Sequence, residues 1–338
     1  MKSRSESFRL SEYIVFSVLT IAFFLLCVCL GSVSIPLNEV FSALLGRGQI
    51  SESARSIILS SRIPRVLTAA LSGASLSLCG GAMQGLLRNP LADGTTLGVT
   101  SGASLGAVLS IAFGSRLTVF SYSTVALAML FAFFSLLLIL VLAYKLDCSL
   151  STNTIILVGI IFSMFANSII SLVVTFAGNR VRSIVFWTMG SLSGTGYENA
   201  LALLAALVIC GFFLFGSSRE LNAFAVGEDN ARNVGVDIKR VKLRVLIFTA
   251  ALIGTCVSIG GTIGFVGLVI PHIARMLVGP NHRRLLPACV FAGAVFLMLA
   301  DLISRTILSP LELPIGVVTS LIGSVVFVVV FYRQRKAV

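Results

Sequence analysis

The sequence predicts an all-α polytopic membrane protein of about ten transmembrane helices, with both termini in the cytoplasm, and three observations carry that prediction. Of its 338 residues, 57% are hydrophobic and only 11% charged, about half the ~25% charged share of a soluble domain. So few charges could not cover a water-soluble fold of this size, so lipid must supply an apolar solvent. Apolar segments recur along the whole chain, and ~20 residues suffice to cross ~30 Å of hydrocarbon. Finally, the Lys and Arg residues behind the net charge of +12 sit in short runs between those segments. The positive-inside rule places them there. No soluble basic domain exists to hold a nucleic acid, so none is expected as a partner. Residues 1–338 read as a single membrane domain with its core at 13–332.

The first span covers 13–34. Lys2, Arg4 and Arg9 ahead of it mimic a signal peptide. The apolar stretch from Tyr13 to Val33 is too long for the h-region of one, and no small-residue cleavage site follows. An outer segment, 35–61, comes next; Pro36 starts a helix there and Gly46 ends it. Spans at 64–84, 94–113, 120–144 and 154–176 follow. Small residues crowd the first of these, from Gly73 to Ala82, which lets helix backbones approach closely in lipid. Residues 183–192 are apolar but too short to cross, and predict a re-entrant or interfacial helix.

The sixth span is 198–216, and 217–242 is the longest cytoplasmic connection. Spans at 243–262, 264–279, 286–304 and 314–332 complete ten; the eighth is short, and Gly260-Gly261 breaks the chain before it. With the N-terminus inside, seventeen of the 25 Lys and Arg face the cytoplasm and eight, Arg47 and Arg116 among them, face outward. An odd number of spans would separate Arg4 and Arg9 from Arg333 and Lys336, against the rule. Asn89-Pro90 and Pro271-His272 interrupt regular helix near span ends, as is common in transporters built from inverted repeats.

Residues for catalysis are scarce. The only histidines are His272 and His282, no H-E-x-x-H occurs, and no lysine follows a glycine, so a phosphate-binding loop is missing. Any ATP used must bind another chain. Paired carboxylates and a Ser/His set are likewise lacking, so the chain does not read as an enzyme. His272 has no neighbouring carboxylate or thiolate and suits a structural hydrogen bond better than a metal. The seven cysteines are scattered without a CxxC pair and read as small apolar fillers. No metal or cofactor is expected on this chain. Asp301 lies inside a span, where a lone acid costs ~2.5–3.5 kcal/mol on insertion scales, so it needs a partner. Arg305, one turn on, can serve.

The inner connection has its own pattern. Glu228 and Asp229 follow Gly227 at a helix start, where negative charge suits the dipole, and Gly235 fits a helix stop. Two short helices joined at Gly227 would project Leu221, Phe224, Ala231 and Val234. Such a half-apolar knob either docks in a partner's cleft or is a solvated loop.

Six motifs in order give the chain a family resemblance. They are Arg62-Ile-Pro64-Arg65, Gln84 to Asp93 with its Arg88-Asn89-Pro90, Leu97-Gly-Val-Thr-Ser101-Gly102, Gly227-Glu228 with Gly235, Gly264 to Arg275, and Glu312-Leu-Pro314-Ile-Gly316. Together, from about residue 31 to 333, they resemble the iron-siderophore and cobalamin permease family of ABC importers. The resemblance implies ten helices per subunit and a second permease subunit, identical or similar, around a central pathway. It also implies two cytoplasmic ATP-binding subunits, which use the ATP, and an extracytoplasmic binding protein that delivers substrate.

On that resemblance 217–242 is the coupling element on the ATPase, with Leu221, Phe224, Gly227, Glu228, Ala231 and Gly235 at its heart. Arg62, Arg65 and Arg305 match positions that meet acidic residues of the binding protein, a role exposed guanidinium forks suit. Arg62 and Arg65 could instead snorkel as interfacial anchors, and Arg305 could neutralise Asp301. The inner gate matches Ser151, Thr152 and Asn153; an N-cap of the fifth span accounts equally well for Ser151 or Thr152. The expected cargo is a ferric siderophore, a choice that rests on how common that cargo is in the family. A cobalamin or haem permease of the same fold is the alternative. A secondary transporter, with Asp301 as ion site and Asp93 and Asp147 at span ends, is a rival of another class.

Overall fold

The computed structural model describes residues 9–46, 50–114 and 124–336. Lys2, Arg4, Arg47 and Arg116 of the charge count, and residues 120–123 of the fourth expected span, lie outside the described residues. Among the described residues, seven helices are long and apolar enough to cross a membrane, and three shorter apolar helices join them. The ten fall where the hydropathy places them.

In chain order the elements are α1 (Leu10–Cys29), α2 (Leu37–Leu45), α3 (Glu52–Ser56), α4 (Ile63–Leu87), α5 (Val99–Phe113), α6 (Thr124–Leu146) and α7 (Thr152–Phe176). There follow α8 (Val181–Thr188), α9 (Tyr197–Gly216), α10 (Ser218–Val226), α11 (Glu228–Asn233), α12 (Ile238–Gly260), α13 (Val266–Val278), α14 (His282–Thr306) and α15 (Ile315–Lys336).

Several boundaries differ from expectation by a few residues, α12 starting at Ile238 and α14 at His282, and two of the differences have a clear physical setting. The first span stops at Cys29, where the guanidinium of Arg62 donates to the carbonyls of Val28, Cys29 and Val33. The oxygens of Val28 and Cys29 are among those a helix C-terminus leaves unpaired; Val33 lies beyond the helix. The second span runs back to Glu52, since α3 continues into α4 through a wider turn at Ile57–Arg62. Pro64 follows that turn; a proline ring clashes with the carbonyl four residues back, and the wider winding makes room for it. Helix α2 starts after Pro36 and ends at Gly46, whose φ is +65°.

α4 is the buried axis of the bundle. It packs on α14, α13, α12 and α9, while α12 also reaches α5 and α6, and α5 packs on α6 and α7. A Cβ at Gly73 would stand 2.1 Å from the carbonyl oxygen of Gly293, and one at Gly80 would stand 1.8 Å from that of Gly267. α4 therefore crosses α14 and α13 backbone against backbone, and packing rather than hydrophobicity holds such crossings in lipid.

The segment expected as re-entrant forms α8, and its end is a junction. Ser191 N donates to Gly260 O, Ile315 N to Gly190 O, and Gly316 N to Met189 O. The ends of α8 and α12 and the start of α15 thus meet at one point. Residues 261–264 cross it outside any helix, turning at Gly261, whose φ is +68°.

Candidate functional site: a hydroxyl-lined trough, a two-helix knob and a buried charge cluster

The trough grows from that junction. A Cβ on Gly316 would lie 2.3 Å from Met189 O and 2.6 Å from Thr262 O, so only glycine lets the three strands of chain close together. Thr262 donates its hydroxyl to Thr188 O. The result is a cavity of about 490 Å³ with Thr95, Thr100, Thr188, Thr262 and Ser320 among its polar lining and Met189, Ile263, Val317 and Leu321 as its apolar wall. A second cavity of about 430 Å³ shares Thr95, Thr100 and Thr262 with it and continues along Thr96, Ser101, Ser104, Ser163 and Asn167. No lining residue of either carries a charge. Several of these hydroxyls already bond within their own helix, as Ser104 does to Thr100 O at 2.9 Å. Such a surface offers many weak polar contacts and no strong one, which lets a solute pass without being held. The spacing of the Ser and Thr residues near Thr100 gives a faint signal of it; the partners from α7, α8 and α15 come from the fold alone.

The knob has the expected two helices, with Gly227 at φ +130° as the corner and Gly235 at φ +86° as the stop. Its orientation corrects the sequence reading. Leu221, Phe224 and Ala231 do not project; all three are fully buried in the chain's own core. They fasten the knob, α10 lying on α4 and α14 and α11 on α12. Asn222 locks it further: its amide nitrogen donates to Asn281 Oδ1 at 2.9 Å, and its oxygen accepts from His282 N at 2.8 Å. The exposed face carries Val226 (69% exposed) and Val234 (74%), with Asp229, Asn230 and Arg232 beside them. Val234 is exposed where the sequence placed it, and Val226 joins it without having been among the residues expected to project.

Beside the knob begins α7. Ser151 caps it by accepting from Thr154 N, so the capping role expected for Ser151 is realised. The Asp147 carboxylate accepts from Ser149 Oγ at 2.6 Å and from the backbone of Ser149 and Ser151. These donors hold the Asp147 carboxyl well below the usual carboxylate range. Ser151, Thr152 and Asn153 line a cavity of about 480 Å³ together with Arg88, Gly227, Glu228, Asp229 and Asn230. The structure thus brings the expected gate residues against the expected coupling residues.

At the other end of the bundle the three arginines are buried, which corrects their reading as exposed docking contacts. Arg62, Arg65 and Arg305 are 4%, 8% and 3% exposed. Arg62 caps α1, as above. Arg305 donates to Cys27 O and lies 3.3 Å from Asp301. Two arginines thus neutralise the partial negative charge of the α1 C-terminus. Arg65 donates Nε to Asp301 Oδ1 at 2.8 Å and Nη1 to both oxygens of Glu312 at 2.9 Å. Asp301 has the Arg305 partner its position called for, and a second in Arg65. An acid held by two guanidinium groups has no place for a transported cation, so the secondary-transporter rival loses its main ion site. Asp93 is spent too, on the turn formed by Thr95 and Thr96.

Comparison with known proteins finds relatives along almost the whole chain. Residues 19–333 match the model of the FecCD transport family. An uncharacterized ABC transporter permease protein of Bacillus subtilis is 41% identical, over 98% of this chain and 96% of its own. The molybdate import system permease protein of Haemophilus influenzae is 35% identical over 90% of each chain. Other relatives are named as siderophore, vitamin B12 and hemin transport permeases. Among solved structures, a metal-chelate type ABC transporter in an inward-facing conformation superposes with a TM-score of 0.84 at 33% identity, covering 95% of this chain and 98% of that one.

Proposed function

The chain belongs to the FecCD transport family and is the permease of an ABC importer, a multi-pass protein of the bacterial plasma membrane, and we propose that the cargo it passes is an iron chelate. The observation that carries the cargo reading is the trough with no charged residue in its lining. A bare metal ion needs ligands from the protein, and a bare oxyanion gains from fixed positive charge. A metal wrapped in its own organic chelator brings its ligands with it, and presents a mixed polar and apolar surface to hydroxyls, Met189, Ile263 and Val317.

Lining residues on α7 and α15, among them Ile160, Met164, Asn167 and Leu321, are exposed, and a second permease subunit, identical or similar, closes the trough into a pathway. Two ATP-binding subunits seat the exposed face of the knob. A binding protein outside delivers the chelate. ATP binding draws the two ATPases together, the knobs follow, and the start of α7 at Ser151, Thr152 and Asn153 opens or closes the inner end of the trough. This chain binds no nucleotide.

The test is uptake of radiolabelled ferric siderophores, cobalamin and molybdate by cells lacking the gene. Loss of one ferric chelate, restored by the intact gene and not by a Gly235→Asp copy, is the expected result. Unchanged iron uptake with lost cobalamin or molybdate would keep the permease and replace the cargo.

A further inference from the structure

Lys242 stands in the basic run Lys239 to Arg244, which the positive-inside rule would explain entirely as surface charge. Lys239 and Arg240 are indeed exposed. The Lys242 side chain is instead 0% exposed. A buried ammonium is tolerated only where its donors are matched, and here they are. Nζ donates to Leu150 O at 2.8 Å and to the Glu228 carboxylate at 2.9 Å. The other Glu228 oxygen accepts from Thr152 Oγ1 at 3.1 Å.

These four residues come from three elements. Glu228 opens α11 of the knob, Lys242 lies in α12, and Leu150 with Thr152 flanks the cap of α7. Leu150 has φ +52°, a left-handed conformation that costs a residue with a Cβ. The Lys242 ammonium and a bond from Leu150 N to Asp147 O hold it there. Between α11 and the start of α7 lies the cavity of about 480 Å³. The polar atoms therefore join the two across a space that no apolar face fills. A packed apolar contact can slide, whereas an ion pair whose ammonium is buried and whose carboxylate is 30% exposed but bonded on both oxygens has one favoured geometry.

The geometry points to Glu228 and Lys242 as the positioning residues that carry displacement of the knob to the gate. When the knob moves, Glu228 takes Thr152 with it directly, and Leu150 through Lys242, so that the first turn of α7 follows. This rests on the reading of 217–242 as the coupling element and of Ser151 to Asn153 as the gate.

The experiment uses the permease together with the ATPase chains that co-purify with it, in lipid nanodiscs. The exposed Cys148 is replaced by serine, and nitroxides are placed at Asn153 and Asn230, both exposed. In the otherwise native protein the distance distribution between the labels is expected to be the same without nucleotide and after trapping with Mg-ATP and vanadate. In Lys242→Met, which keeps the buried volume and removes the tether, the distribution is expected to shift and broaden on trapping, while co-purification and ATP hydrolysis persist. Glu228→Gln is read by the same distance if the first variant does not assemble. An unchanged distribution in a variant that still hydrolyses ATP would overturn the proposal, and so would a distance that changes on trapping in the native protein. Failure of any ATPase chain to co-purify with the native permease would instead remove the reading on which the proposal stands.

Discussion

Arg65 on α4 and Asp301 on α14 form a buried ion pair at 2.8 Å, although 236 residues separate them in the sequence. Asp301 is itself fully buried and shares its other oxygen with Arg305 at 3.3 Å. Breaking one side of a buried pair leaves an uncompensated charge and costs ~3–5 kcal/mol. Arg65→Ala is therefore expected to lower thermal stability in detergent sharply. Arg65→Met combined with Asp301→Asn removes both charges of the pair and should recover part of the loss, since Arg305 loses its acid but keeps its bond to Cys27 O. A thiol-reactive dye reads this well, since Cys79, Cys256 and Cys289 are buried and become reactive on unfolding. If the single variant melts at the native temperature, the cluster is not what holds α1, α4 and α14 together.

The glycine crossings make a second prediction. Gly80→Ala drives a methyl into the Gly267 carbonyl, 1.8 Å from where the Cβ would stand, whereas Gly211→Ala meets nothing closer than 3.6 Å. Helices α4 and α13 must move apart in the first case and need not in the second. Overpacking of this kind costs ~1–3 kcal/mol or more. Membrane-inserted yield and melting temperature should fall for Gly80→Ala and stay level for Gly211→Ala.

The knob divides into residues that hold it and residues it presents. Phe224→Ala empties a fully buried site, for which ~3–5 kcal/mol is the usual loss, so it should destabilise the permease itself. Val226→Asp and Val234→Asp alter exposed positions and should leave melting unchanged while weakening co-purification of the ATPase chains. The reverse pattern, stable Phe224→Ala and unstable Val234→Asp, would show that the knob is seated the other way round.

That division marks the limit of what the sequence makes legible. Apolar residues at Leu221, Phe224 and Ala231 announce a one-sided helix pair, and Gly227 and Gly235 place its corner and its end. Nothing local says whether the apolar side meets the chain's own α4 and α12 or a partner. Charge is read with the same ambiguity. Arg62 looks like an interfacial arginine until the carbonyls of Val28 and Cys29 arrive from another helix, and Lys242 looks like a surface lysine until Glu228 does. The spans are legible because lipid imposes length and hydropathy on each one separately. The trough is not, because its hydroxyls converge from α5, α7, α8 and α15, and each alone is an ordinary Ser or Thr in a membrane helix.

Charge in the trough offers a direct reading of the cargo. Asn167 is exposed on α7 and lines the second cavity, and Asn167→Asp adds one negative charge without changing size. Two like charges ~6 Å apart at an effective dielectric of ~20 repel by ~3 kcal/mol, a ceiling of roughly 100-fold in rate that water in the pathway lowers. Uptake of an anionic ferric chelate should therefore slow in Asn167→Asp, and the loss should shrink as salt rises. A neutral cargo should cross at the native rate, because the same substitution leaves it nothing to repel. Measured with ferric siderophores of different net charge, the slope of uptake rate on cargo charge separates the two cases. A flat slope with slowed transport of every substrate would mean that the carboxylate disturbs α7 itself, and the trough would then no longer be the path the charge is felt in.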